Sequence, residues 1–315
     1  MPETNRHFDF EETATIASLI GAHSARGAPF SFIRLGDGEG ALLAFGKEYP
    51  GLNFEYFSHH LGDEAPSLVP VIRDHLKVAI KNANLIGIRD DVAEANFSYE
   101  LLELPEQEFL PEFKKHVTLR AAELTLPYAD LYRIALLHVE LSSFGFSQDQ
   151  KFCSAWLNYK LFTSGYIIRL LATQDRIGII SCRDELPAIF STKFDLTVDF
   201  YKIPGMYREI DPEAEKPNYR ASMEQIMSQN LVKFPGMPFF VGGGFLGKIY
   251  CEHIRAQGGI ALDLGSLMDF WAGKYTRPLV VKSMFPHEKK PHGIPLSLML
   301  SDANIRRHLG TNPHS

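Results

Sequence analysis

The chemistry-bearing residues of this chain concentrate at Gly36-Asp37-Gly38-Glu39-Gly40, where three glycines alternate with two carboxylates. Before them, Ser31-Phe-Ile-Arg-Leu35 is short, apolar and partly β-branched and reads as a strand; after them, Ala41-Leu-Leu-Ala-Phe45 reads as the first turns of a helix stopped by Gly46. A strand, a glycine-rich turn and a helix start together present free backbone N–H groups to a phosphate. Two carboxylates there would repel that phosphate unless a divalent cation lay between, and an Asp-x-Glu step in extended chain puts both side chains on one face. Hard oxygen ligands of this kind suit Mg²⁺ or Mn²⁺ completed by phosphate oxygens. Asp37 and Glu39 are therefore candidate metal ligands, with Arg34, Gly36 and Gly38 as candidate contacts to a diphosphate. The same residues also read structurally, as an N-cap, a first-turn acid and a tight turn.

A second focus lies at Met237-Pro-Phe-Phe-Val-Gly-Gly-Gly-Phe-Leu-Gly-Lys248. A strand, then Gly242-x-Gly244-x-x-Gly247, a helix through Arg255 and a strand Ile260–Leu264 supply the βαβ context that a dinucleotide fingerprint requires. Asp263, 21 residues after Gly242, could accept from a ribose hydroxyl. Backbone N–H groups of Gly242, Gly243 and Gly244 would serve a nucleotide sugar as well as NAD; the alternative is a close helix–strand packing turn. The strands Asn84–Ile88 and Arg176–Ser181 run into Arg89-Asp90-Asp91 and Arg183-Asp184-Glu185. Ligands bind at the carboxyl ends of strands in open α/β sheets, which makes Arg89 and Arg183 candidate diphosphate or sugar contacts.

Arg34-Leu-Gly-Asp-Gly-Glu39 resembles the Arg-x-Gly-Asp-Gly-Glu signature of the GT-D type bacterial glycosyltransferases. The resemblance implies a Rossmann-like α/β domain whose Asp-x-Glu motif, here Asp37 and Glu39, binds the metal and the diphosphate of a nucleotide sugar. The stretch through Asp263-Leu-Gly-Ser266 is similar to the closing part of that family, where a strand ends in an Asp-x-Gly step near the donor pocket. That makes Asp263, Ser266 and Asp269 site candidates, one of the two aspartates acting as base on the acceptor hydroxyl if displacement is direct. The expected activity is metal-dependent transfer of a sugar from a nucleotide diphosphate sugar, a UDP-sugar being favoured, to a glycan or related acceptor, with Mn²⁺ or Mg²⁺ as cofactor. Its rivals are a Rossmann NAD(P)-dependent oxidoreductase built on Gly242 to Asp263, which leaves the acids of the first motif without a task, and a non-catalytic nucleotide-sugar-binding module.

With 45% hydrophobic and 22% charged residues, the 315-residue chain can bury a substantial core. Its net charge of −6, with no basic run longer than Lys289-Lys290 or Arg306-Arg307, speaks against nucleic acid as a partner. No apolar run reaches the ~20 residues of a membrane span, and the polar start Met1 to His7 lacks a signal-peptide core, so the cytoplasm is expected. Cys153, Cys182 and Cys251 lie far apart without Cys-x-x-Cys spacing, against both a disulfide framework and a zinc site.

Periodicity then places the supporting elements. Ile16, Leu19 and Ile20 predict a helix over residues 9–24, and Leu68 to Ile80 keep an amphipathic helical rhythm. Residues 47–62 read as an aromatic loop that covers a sugar or a core, with His59-His60 in it, and 92–130 as helices. Arg133–His138 reads as a buried strand, and Phe152, Ala155, Trp156, Tyr159 and Phe162 as one helical face. A strand follows at Val198–Pro204, a flap over 205–219, a helix carrying Met223, Ile226, Met227 and Leu231, and a last strand at Arg277–Lys282. Strands alternating with helices predict an α/β fold: a Rossmann-like, mainly parallel sheet with helices on both faces. No compositional linker appears, so residues 1–282 read as a single domain and 283–315 as a C-terminal arm, with a short helix at Asn304–Leu309 and a role in any homo-oligomer contact.

Overall fold

The computed structural model describes residues 10–47, 49, 52, 54–89, 92–95, 99–115, 117–119, 127–207, 215–274 and 276. In chain order the elements are α1 Thr13–Ala25, β1 Phe30–Leu35, α2 Asp37–Leu43, α3 Glu55–Leu61, α4 Ala65–Asn82, β2 Leu85–Ile88, β3 Val92–Ala95, α5 Tyr99–Leu102, α6 Glu106–Lys115, β4 Val117–Leu119 and α7 Tyr128–Ser142. There follow β5 Lys151–Ser154, α8 Leu157–Thr163, α9 Tyr166–Leu171, β6 Arg176–Ser181, α10 Leu186–Phe194, β7 Thr197–Lys202, α11 Tyr219–Met227, β8 Pro238–Gly242, α12 Gly244–Ala256, β9 Ile260–Asp263 and α13 Ser266–Trp271.

Two compact units form. The first is built on Phe32–Trp156 and Met206–Arg220, the second on Glu12–Ser31, Leu157–Gly205 and the chain from Ala221 onward. Seven strands pair in parallel, β5, β2 and β1 side by side in the first unit and β9, β8, β6 and β7 in the second. This is the α/β, Rossmann-like class that the alternation of elements predicts.

In the first unit β2 is buried throughout, as a strand covered on both faces must be. The stripe Leu68, Val69, Ile72, Leu76, Ala79 and Ile80 buries one face of α4, and Gln150 closes its end, donating from Nε2 to the carbonyls of Ile80 at 2.8 Å and Ala83 at 3.0 Å. A 3₁₀ turn, Gly62–Glu64, precedes α4, and Glu64 holds the segment expected as a flap: its Oε1 and Oε2 accept from the backbone N–H of Tyr219 at 2.6 Å and of Arg220 at 2.9 Å. In the second unit Trp271 is fully buried, its ring 5.5 Å from those of Phe162 and Phe190.

Several expectations are corrected. Arg133–His138 is no strand but the middle of α7, where every residue from Leu131 to Leu137 is buried. A helix buried on all sides carries an unbroken apolar run, and periodicity cannot separate such a run from a core strand. The aromatic face expected over Phe152 to Phe162 belongs to two elements, β5 and α8; the 47–62 loop contains α3; and the 92–130 segment includes an antiparallel pair, β3 with β4. Leu231 lies beyond the end of α11. The expected strand Arg277–Lys282 and the arm with its helix fall outside the described residues.

In the first unit α2 and α7 pack closely. A Cβ at Gly40 would fall inside the carbonyl oxygen of Arg133 and lie 2.8 Å from the Leu137 nitrogen. The close contact brings the Arg133 side chain to the start of α2. Gly40→Ala should therefore destabilise by about 2–3 kcal/mol or more, because two backbones would have to part. Gly21→Ala, in α1 with nothing within 4 Å of an added Cβ, should instead stabilise by about 0.5–1 kcal/mol. Urea unfolding of the two variants checks this; equal effects would remove the packing argument.

Candidate functional site

β1 runs into α2 without a loop, Gly36 standing as the extended residue between them. Glu39 folds back so that its Oε2 accepts from the Gly36 N–H at 2.7 Å. This is the acid half of a capping box, which glycine has no side chain to complete. Helix α2 starts at Asp37, four residues before the predicted start. Asp37 and Glu39 thus sit two apart in a first helical turn and do not face the same way, contrary to the extended-chain expectation.

Asp37 stands among cations and aromatic rings. Arg89, just past β2, donates from a terminal nitrogen to Oδ1 at 3.3 Å; Nε of Arg133 lies 3.6 Å from Oδ2; and the Tyr56 hydroxyl donates to Oδ2 at 3.4 Å. The guanidinium of Arg133 lies 4.0 Å above the Tyr56 ring and that of Arg89 5.2 Å from the Trp156 ring. Asp130, one turn earlier on α7, accepts from the other end of Arg133. Arg34 donates to the Ala155 carbonyl at 3.4 Å. The three contacts to Asp37 are longer than the about 2.7–2.9 Å of a tight charge-assisted bond, so the carboxylate is surrounded but not locked.

Of the residues predicted for this end of the sheet, Asp37 and Arg89 come together as strand ends require. Arg133, Tyr56 and Trp156 were not foreseen. The signal for Arg133 was present as a charge beginning an apolar run, Arg133-Ile-Ala-Leu-Leu, where a buried cation calls for a partner.

In the second unit, β8, α12 and β9 form the predicted βαβ arrangement, with Gly243 before α12 and Gly244 opening it at a φ of 52°. A Cβ on Gly242 would lie 2.8 Å from Met268 Sδ, and one on Gly243 3.1 Å from the Gly247 nitrogen, so both glycines sit in close packing. Asp263 is 1% exposed, and its Oδ2 lies 3.3 Å from Nζ of Lys248, itself 5% exposed and donating to the Gly244 carbonyl at 3.0 Å. A carboxylate so placed ties the helix to the strand and is not turned to a ribose. Asp269 accepts from Arg183 Nε at 2.7 Å and from the Thr276 hydroxyl at 2.8 Å, and the Ser266 hydroxyl bonds that of Tyr159 at 2.8 Å.

The parallel α/β units carry a glycine-rich acidic turn directly after a strand. The chain belongs to the GT-D fold-like domain family, which matches residues 11–271. No curated protein and no solved structure matches it. Among the described residues no three of His, Cys, Asp or Glu gather into a metal cluster, and no helix is long and apolar enough to cross a membrane. The donor set around Asp37 fits a divalent cation in one form: a hard, 21% exposed carboxylate whose neighbours hold it at 3.3–3.6 Å, to be completed by oxygens that a ligand brings.

Two measurements test this layout. Removing one member of the buried Lys248–Asp263 pair strands the other, so Asp263→Asn or Lys248→Met should cost about 3–5 kcal/mol, while Lys248→Met with Asp263→Leu should recover most of it. Denaturant midpoints of the three variants decide; a stable Asp263→Asn would free Asp263 from its packing role. On α7, burial holds His138 neutral, with a pKa lowered to about 4 from 6.5. The unfolded chain binds that proton at a higher pH than the folded one, so the contribution is complete above about 6.5 and is lost as pH falls toward 4, on the order of 3 kcal/mol. His138→Gln should flatten the fall in stability between pH 7 and pH 4.5; an unchanged slope would assign that fall to other groups.

Proposed function

We propose that this protein is a metal-dependent glycosyltransferase that takes a sugar from a nucleotide diphosphate donor. The observation that carries the reading is Asp37: a partly exposed carboxylate at the end of β1, in a family of glycosyltransferase-type fold, with two guanidinium groups beside it. In this reading Asp37 holds Mn²⁺ or Mg²⁺ together with diphosphate oxygens, and Glu39 keeps the turn in shape through the Gly36 N–H. The cation supplies neutralisation of the charge that develops on the departing diphosphate. Arg89 and Arg133 are cations that need not be recruited, since the fold already holds them against rings. The acceptor is a glycan or related hydroxyl compound. The rival oxidoreductase reading needs Asp263 for the ribose, and Asp263 is buried against Lys248.

Thermal unfolding of the wild type and Asp37→Ala with UDP, GDP, CDP and NAD, each with and without Mn²⁺, tests this. A nucleoside diphosphate at 100 times its Kd should add about 2.7 kcal/mol, a rise of about 4 °C or more, in the wild type with Mn²⁺; Asp37→Ala should lose the dependence on Mn²⁺. Stabilisation by NAD alone, equal in both proteins, would overturn the reading.

A further inference from the structure

We infer that Asp37 is a placeholder for the diphosphate: it engages Arg89 and Arg133 in the resting protein and hands both to the ligand when a cation takes their place on its carboxylate. The inference rests on the donor reading above. Arg133 carries the argument. It is 7% exposed, it comes from a helix 96 residues further along the chain than Asp37, and its Nε is buried without a hydrogen-bond partner, 3.6 Å from Asp37 Oδ2. A guanidinium offers five N–H donors in a rigid plane suited to paired phosphate oxygens; Asp130 accepts from one terminal nitrogen of Arg133, and the Nε edge facing Asp37 is left under-used. Stacking on Tyr56 holds the plane of Arg133, and the Trp156 ring supports Arg89, so neither has to be ordered anew when the ligand changes.

Charge balance explains why cation and diphosphate should enter together. Among the described residues Arg89 and Arg133 stand beside Asp37, and Asp130 pairs with Arg133, two charges of each sign. A cation alone would add uncompensated positive charge beside two guanidinium groups; a diphosphate alone would have to displace Asp37 and leave that carboxylate without a counter-charge. Arriving together they nearly cancel, and each arginine exchanges one anion for another.

The test is calorimetric titration of UDP, GDP and CDP into the wild type, Asp37→Ala, Arg133→Lys and Arg133→Gln, with and without Mn²⁺. For the diphosphate that the wild type binds, Mn²⁺ should tighten binding about tenfold or more. Without metal, Asp37→Ala should bind it about fivefold or more tightly than the wild type does, because the arginines no longer have a competing carboxylate, and Mn²⁺ should change this little. With Mn²⁺, both Arg133 variants should lose about tenfold, Lys included, since it keeps the charge and lacks the fork. The inference is overturned if metal-free Asp37→Ala binds no better than the wild type, or if Arg133 variants of unchanged melting temperature bind as the wild type does. Should Arg133→Gln fail to fold, Asp37→Ala still decides, as it leaves Arg133 in place. If the wild type binds no diphosphate under either condition, the donor reading falls and the inference with it.

Discussion

At Gly40 the backbone of α2 comes so near α7 that the Arg133 carbonyl and the Leu137 N–H leave no room for a side chain. This contact is what lets a residue from the buried heart of the first unit reach the first turn after β1. With any larger residue at position 40 the two helices would stand further apart, and Arg133 would be a buried cation cut off from the carboxylate it faces. The last glycine of the acidic motif therefore acts on packing, while Gly36, at the other end, acts on the backbone by offering its N–H to Glu39.

From that packing follows the electrostatics. Burying charges costs several kcal/mol per ion unless partners and hydrogen bonds compensate. Here the compensation is shared: Asp37 faces two arginines and a tyrosine hydroxyl, Arg133 also has Asp130, and both guanidinium groups lie against aromatic rings. Among the described residues these contacts to Asp37 are all 3.3 Å or longer. A cluster of this kind is ordered by many weak restraints, which suits a site that must exchange partners more than one built on a single tight ion pair.

The second unit uses similar residue types for a different end. Its glycines meet Met268 and the Gly247 backbone, and its acid Asp263 is closed in with Lys248 beneath the start of α12. A glycine-rich turn between a strand and a helix satisfies the spacing of a dinucleotide fingerprint whether it contacts phosphate or only allows helix and strand to pack closely. What separates the two acids is exposure: the side chain of Asp37 is 21% exposed and that of Asp263 is 2%.

The amino-acid sequence by itself determined what depends on neighbours along the chain. The apolar run ending at Leu35 is a strand, the stripe from Leu68 to Ile80 is a helix face, and the passage from Pro238 to Asp263 is a βαβ unit, because backbone preference and hydrophobic period act over a few residues. Together with the six residues Arg34 to Glu39 this was enough for the α/β class and the family. The tertiary structure decided what depends on distance across the fold. Arg133–His138 is helix although burial around it erases the period that would have marked it as one. Arg133 and Tyr56 joined Asp37, and Trp156 joined Arg89, through packing between segments remote in sequence, while in the second unit Lys248 closed in Asp263. Residue type and spacing specify which groups can ionise; only the folded chain decides which of them still meet solvent and which meet each other.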